Sequence, residues 1–130
     1  MTDLKARMQS DLNKMYDHLI EQGGKALRPN GVSCAYRGAG GTKCAVGCLI
    51  PDEMYDEAME DSGAYPVVRK WGLFDIPEGS WGFDKYVQFL SCAQLHMHDG
   101  IDLRDWGSAV LEGYEYIADT FNLKVERGNG

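Results

Sequence analysis

The chain has 130 residues and a formal net charge of −7, and 44% of its residues are hydrophobic. One folded domain is the expectation at this length, because a disordered chain lacks the apolar surface that offsets the entropy of ordering. The charge argues against direct nucleic-acid binding, in which Lys and Arg displace counterions from phosphates. It suits a basic protein partner, or it simply keeps the protein soluble.

The N-terminal segment is amphipathic and has no long apolar run. Apolar residues three and four positions apart predict a helix from Asp3 to Gln22, ended by Gly23 and Gly24. This pattern predicts neither a signal peptide nor a membrane helix. Without export, the four cysteines are expected to stay reduced, which favours buried thiols or a metal site over disulfides.

Two short alternating runs surround a glycine-rich turn. Apolar and polar residues alternate in 32–37 and again in 42–46, with Gly38 to Gly41 between them. This arrangement predicts a β-hairpin. The turn lacks the spacing of a phosphate-binding loop. Pro51 then suits the first turn of a helix, which is expected to run to about Asp61.

The second half predicts mainly helices. The run Tyr65 to Trp71 fits either a strand or a helical turn, and 72–82 is irregular. Helical spacing returns from Phe83 to His98, and Asp102 is the expected N-cap of a last helix. The prediction is therefore a single α+β domain over 1–130, with about four helices around a small antiparallel hairpin or sheet. Residues 124–130 are polar and are expected to be frayed.

Cysteine and histidine spacing allows a zinc site as one alternative. Cys44 with Cys48 and Cys92 with His96 form two pairs, each separated by three residues, and zinc takes four such ligands in a tetrahedron. The other interpretation is ordinary buried thiols, because free cysteine is among the most buried side chains. We expect no cofactor, with structural zinc as the alternative.

Catalytic candidates are few, and whether the chain is an enzyme stays open, with non-enzyme favoured. A cysteine nucleophile needs a nearby base, and Cys44 beside Lys43 with His98 or His96 is one such set. His98 followed by Asp99 pairs an imidazole with a carboxylate, although both residues also suit a helix end and a turn.

Several residues are candidates for binding a ligand or a partner. Arg37 could present its guanidinium to an anion, or it could pair with Asp52 or Glu53. Trp81 lies in the glycine-rich loop and is the tryptophan most expected to be exposed. The candidate binding residues are Tyr36, Arg37, Asp52, Glu53 and Trp81.

Part of the chain resembles a pattern in small proteins of tailed bacteriophages and prophages. The first piece is Tyr36-Arg37-Gly38, then Gly41, the run KCAVGCLIPDE at 43–53, and Tyr55. The second is 95–99 with Trp106. The resemblance covers the predicted hairpin and part of the C-terminal half. It implies a phage-encoded accessory protein in the host bacterial cytoplasm, and small acidic phage proteins of this kind often bind and inhibit a host or defence protein.

Three functional hypotheses follow. The leading one is a non-enzymatic inhibitor that binds a host or defence protein through its acidic face. The second is an enzyme or a binding site for a nucleotide-like anion, located between the hairpin and the end of the His98 helix, with Arg37, Cys44 and Asp99 as further polar groups. The third is a virion or assembly component, which would form obligate oligomers.

Overall fold

A computed structural model describes residues 4–28, 35–61, 63–71, 81–101 and 105–128. The helices within these ranges are α1 (Leu4–Gln22), α2 (Ala64–Trp71), α3 (Trp81–Gln94) and α4 (Trp106–Thr120). A single π-helical turn, Leu95–Asp99, continues α3. In the part of the chain so described, no helix is both long and apolar enough to cross a membrane.

The apolar stripes read from the sequence form the core. Met8, Leu12, Met15 and Leu19 of α1 are buried. They pack against α3 and α4 in one cluster, which includes Phe83, Tyr86, Leu90, Ala93, Met97, Val110, Tyr114 and Ile117. The predicted helices 3–22 and 83–98 are thus confirmed to within a few residues, apart from Asp3, which lies outside the described residues.

The predicted α+β class is wrong, because the described residues are helical and contain no strand. The only trace of the hairpin among them is one isolated antiparallel bridge between Arg37 and Lys43. The glycines fold into a 3-10 turn, Ala39–Gly41, in which Gly40 and Gly41 have φ of 71° and 80°. A second 3-10 turn, Gly47–Leu49, directly follows the alternating run 42–46, so no strand continues from that run.

Side chains of α1 take the role that a neighbouring strand would play for this loop. Gln22 accepts a hydrogen bond from the backbone N–H of Lys43 at 2.8 Å and donates to its carbonyl oxygen at 3.0 Å. The Nε2 of His18 also lies 3.0 Å from that carbonyl oxygen. The backbone N–H and carbonyl oxygen of Lys43 are therefore satisfied without a sheet.

The helix expected from Pro51 to Asp61 is also wrong. Two 3-10 turns, Asp52–Met54 and Glu57–Asp61, occupy this segment. Tyr55 and Asp56 separate them, and the side chain of Asp56 accepts from the N–H of Ala58 at 2.8 Å. Such local capping competes with a continuous helix.

The remaining helix boundaries resolve two sequence questions. Residues 65–71, left open between strand and helix, belong to α2. Helix α4 is capped by Asp105, whose carboxylate accepts from the N–H of Ser108 at 3.3 Å, so the assignment of the N-cap to Asp102 is wrong. Asp102 itself lies outside the described residues.

The C-terminal segment lies along α1. Gln9 accepts from the N–H of Lys124 at 2.8 Å and donates to its carbonyl oxygen at 3.0 Å. Arg127 forms two hydrogen bonds to Asp17, at 2.8 and 3.1 Å. The predicted fraying of 124–130 concerns motion and stays a prediction, and 129–130 lie outside the described residues.

Candidate functional site

The π-turn at the end of α3 places His98 in the interior. Its side chain is fully buried. The N–H of Ala26 donates to Nε2 at 2.9 Å, so this nitrogen carries no proton and the ring is neutral. The proton therefore lies on Nδ1, which donates to the Asp99 carboxylate at 2.7 Å. The hydrogen bond between the imidazole and the carboxylate that the sequence suggested is thus present. Both ring nitrogens of His98 are used by these two contacts.

Gln94 connects this pair to the loop. Its Nε2 donates to the same carboxylate oxygen of Asp99 at 2.7 Å, and its Oε1 accepts from the N–H of Val46 at 2.9 Å. The second interaction ties the end of α3 to the loop that follows the glycine turn. A π-turn is rare and often lies at a functional site, because it re-aims the side chains at a helix end.

A cavity of about 310 Å³ opens where three separate segments meet. Its polar lining in the described residues comes from Tyr36, Cys44, Glu60, Ser91, Gln94 and Asp99. No lysine or arginine is among the described lining residues. The structure thus brings Cys44 and Asp99 of the hypothesised site beside the His98 helix end to one cavity, together with Tyr36, which that hypothesis did not include. Arg37, the expected anion ligand, is not among them.

The thiol of Cys44 is poorly suited to be a nucleophile. Cys44 is 1% exposed, and its sulfur accepts from the N–H of Gly47 at 3.2 Å. Burial raises the pKa of the Cys44 thiol well above its ordinary value, and the negative charge of Asp99 raises it further. Because the thiolate is the reactive form, and because both nitrogens of His98 are engaged, these residues do not form a nucleophile and base pair.

Arg37 is held by the loop rather than presented to a ligand. Its guanidinium donates to the carboxylate of Asp52 and to the carbonyl oxygen of Ile50, and it lies over the ring of Tyr55, 5.0 Å from the centroid. Lys43 also reaches Asp52, at 3.3 Å. These hydrogen bonds lower the pKa of the Asp52 carboxyl, with that from Arg37 contributing most. The pairing of Arg37 with Asp52 that the sequence allowed is confirmed.

Glu60 is a site residue that the sequence analysis missed. Its carboxylate accepts from the consecutive N–H groups of Tyr36 and Arg37, at 2.9 and 3.0 Å, and from the hydroxyl of Tyr55. It therefore holds one wall of the cavity in place. Gln94 was missed as well. The available signal was weak: each is one polar residue in a segment expected to be an ordinary helix.

The candidate metal ligands do not meet in one cluster. Cys44 and Cys48 lie in the loop, where the thiol of Cys48 donates to the carbonyl oxygen of Ala45 at 3.0 Å. His96 instead packs against Tyr116 of α4, with ring centroids 4.3 Å apart and the rings tilted by 43°. In the described part of the chain, no three His, Cys, Asp or Glu side chains are arranged to hold a metal ion.

The two remaining candidates have different outcomes. Glu53 is exposed, in a stretch from Pro51 to Asp61 that we call the acidic segment. This stretch contains six acidic residues and no Lys, Arg or His.

Trp81 was expected in a loop, but α3 begins at this residue. Its side chain lies outside the described part of the structure, as do residues 72–80.

Comparison with known proteins finds no matching family model, no matching curated protein and no matching solved structure.

Proposed function

We propose that this chain is a non-enzymatic binding protein, a phage-encoded accessory protein that inhibits a basic host or defence protein in the bacterial cytoplasm. The observation that carries the proposal is the acidic segment. Asp52, Glu53, Asp56 and Glu57 are all exposed there, and no basic residue lies between them in the chain. Such a concentration of one sign of charge raises the rate of encounter with a basic surface and selects against acidic ones.

The acidic segment is fixed at both ends, which favours binding. Asp52 is anchored by Arg37 and Lys43, and Glu60 is anchored by the backbone before the glycine turn. A segment that is ordered before it meets a partner loses less conformational entropy on binding. Met54 lies within the acidic segment, is 38% exposed, and offers an apolar contact of the kind enriched in interfaces.

The chemistry of the cavity supports a binding role over a catalytic one. The Cys44 thiol stays protonated near neutral pH, and His98 uses one nitrogen to accept from backbone and the other to donate to Asp99. Neither group is therefore poised for proton transfer to a substrate.

The test compares two doubly neutralised variants with the wild type. Glu53→Gln with Glu57→Gln removes two charges from the acidic segment, and Glu115→Gln with Asp119→Asn removes two exposed charges from α4 as a matched control. Each tagged protein is used to retain partners from lysate of a phage-susceptible bacterium at rising salt concentration. The purified partner is then assayed for its own activity.

We expect one or more basic proteins to be retained by the wild type and by the α4 control, released by moderate salt, and lost with the acidic-segment variant. The retained partner should lose activity when the wild-type protein is added. Equal retention by all three proteins would place binding elsewhere on the surface. A retained partner whose activity is unchanged would refute inhibition.

A further inference from the structure

The acidic segment rests on a small apolar cluster of its own. Ile50, Met59 and Val67 are buried together, and Tyr55 packs against them. The helical core is a separate and much larger cluster, and Tyr36 is the described side chain that packs against both. Elements with few buried apolar contacts open more readily than the rest of a domain. The conformation of the acidic segment therefore depends strongly on the polar contacts at its edge.

Arg37 joins three parts of this unit through one side chain. Its guanidinium donates to the carboxylate of Asp52 and to the carbonyl oxygen of Ile50, and its Cζ lies 5.0 Å from the centroid of the Tyr55 ring. These contacts lie before, within and directly after the first 3-10 turn of the segment. Only 18% of the Arg37 side chain is exposed. Its contacts are therefore better shielded from salt than those of a surface ion pair.

Lys43 provides a comparison, because it brings the same charge to the same carboxylate. Its Nζ lies 3.3 Å from Oδ1 of Asp52, and 31% of its side chain is exposed. Its backbone is held by Gln22 of α1 and not by the acidic segment. An exposed pair of this kind contributes little to stability. Arg37 and Lys43 thus differ in geometry and not in charge.

We propose that Arg37 is a positioning residue for partner binding, a role that rests on the proposed function: it holds the acidic segment in the conformation that a basic partner recognises, although its own charge repels such a partner. A planar guanidinium can bond two acceptors and lie against a ring at once, whereas the ammonium group of lysine is a single point charge.

Geometry and charge make opposite predictions for the loss of Arg37. Removal of its positive charge should, by Coulomb attraction alone, tighten the binding of a basic protein to the acidic segment. Removal of its contacts loosens the segment, which must then be ordered when the partner binds, and this should weaken binding. The direction of the change therefore identifies the role.

Hydrogen exchange followed by mass spectrometry tests the positioning in the chain alone. The reporting amides are those of Met54, Tyr55 and Met59, which donate within the acidic segment. In Arg37→Gln and Arg37→Lys we expect them to exchange about tenfold faster or more, because each variant loses hydrogen bonds from a charged group. In Lys43→Gln they should change by about twofold at most.

Peptides from α1 and α3 serve as the internal control for these variants. They should exchange as in the wild type, because the helical core is a separate cluster. Unchanged exchange of the acidic segment in both Arg37 variants, or an equal acceleration in α1 and α3, would overturn the proposal.

Partner binding is measured with the basic protein that the wild type retains from lysate, purified and immobilised. Arg37→Gln should bind it about fivefold more weakly or worse. Lys43→Gln removes the same charge and should bind it more tightly. Arg37→Lys keeps the charge and should still weaken binding. Equal shifts in Arg37→Gln and Lys43→Gln, in either direction, would mean that charge alone decides and would refute the positioning role.

The two measurements separate failure of the positioning role from failure of the proposed function. If the wild type retains no basic protein, the proposed function fails, and hydrogen exchange still decides whether Arg37 holds the segment. If Glu53→Gln with Glu57→Gln releases the retained protein while Arg37→Gln binds it as tightly as the wild type, the proposed function stands and the positioning role is wrong.

Discussion

Replacement of Gly113 by alanine tests the packing that positions the π-turn. A Cβ at Gly113 would lie 2.2 Å from the carbonyl oxygen of His96 and 2.8 Å from its carbonyl carbon. Ordinary Cβ contacts begin near 3.4 Å, so α4 and the π-turn must separate by about one ångström in a core packed as densely as an organic crystal. The turn that carries His98 and Asp99 would shift with it.

The magnitude follows from two opposing effects. Alanine in place of glycine stabilises a compatible helical site by about 0.4–1 kcal/mol, chiefly by restricting the unfolded chain. Forcing extra volume into a packed core costs about 1–3 kcal/mol. For Gly113→Ala we expect a net loss of about 1–2 kcal/mol in the free energy of unfolding. The matched control is Gly107→Ala in the same helix, where a Cβ meets nothing within 4 Å.

Urea unfolding followed by circular dichroism measures both variants. Gly107→Ala should raise the unfolding free energy by about 0.4–1 kcal/mol, whereas Gly113→Ala should lower it. The opposite signs are the test, because the two substitutions are chemically identical and lie on one helix. If both variants are stabilised equally, α4 does not approach the π-turn closely, and the described geometry of His98 and Asp99 is wrong.

Three further predictions concern single side chains. His98→Ala should lower the free energy of unfolding measured in urea by about 3–5 kcal/mol, because it opens a buried cavity and leaves the N–H of Ala26 unsatisfied. His98→Gln should recover part of this loss, because its amide oxygen can accept from that N–H. An equal loss in both variants would argue against the hydrogen bond. Cys44 should resist alkylation by iodoacetamide at pH 8 until the protein is denatured, because burial and Asp99 raise the pKa of its thiol. Peptide mass spectrometry measures the labelling, and rapid labelling of Cys44 in the folded protein would contradict the prediction. Asp52 has a folded-state pKa below its ordinary value, so its ion pairs stabilise the fold above about pH 4, and this stabilisation is lost as pH falls through the folded pKa. Asp52→Asn should therefore flatten the decline of the urea midpoint between about pH 5 and pH 3. An identical decline in the wild type and the variant would refute this prediction.

The parts of this fold that the sequence predicts well are those set by periodic burial. Helix α1 spans nineteen residues, and its four buried apolar positions recur at helical spacing, so pattern alone locates it. The same holds for α3 and α4. The loop from 35 to 61 was predicted poorly, because its alternating runs are short and its backbone hydrogen bonds go to remote side chains. Gln22 lies 21 residues from Lys43, and no local pattern signals that contact.

The candidate site shows the same division. Cys44, His98 and Asp99 attracted attention by residue type, and the structure brings all three to one place. Their roles could not be read from the sequence, because they depend on burial and on which atoms donate. Neutral His98 follows from an N–H of Ala26, 72 residues away in the chain. Glu60 lines the same cavity, and sequence spacing predicted it in an ordinary helix.

Glu60 also limits which variants can separate the acidic segment from the cavity. It belongs to the acidic segment in the sequence and also lines the cavity. Its carboxylate accepts hydrogen bonds from the backbone N–H groups of Tyr36 and Arg37. Any variant of Glu60 would disturb both surfaces and could not distinguish them. Glu53 lies on the acidic segment alone, and Asp99 lies in the cavity alone. If Asp99→Asn leaves the protein partner bound while Glu53→Gln with Glu57→Gln releases it, the partner contacts the acidic segment and not the cavity. If a folded Asp99→Asn protein also loses the partner, the interface extends from the acidic segment to the cavity.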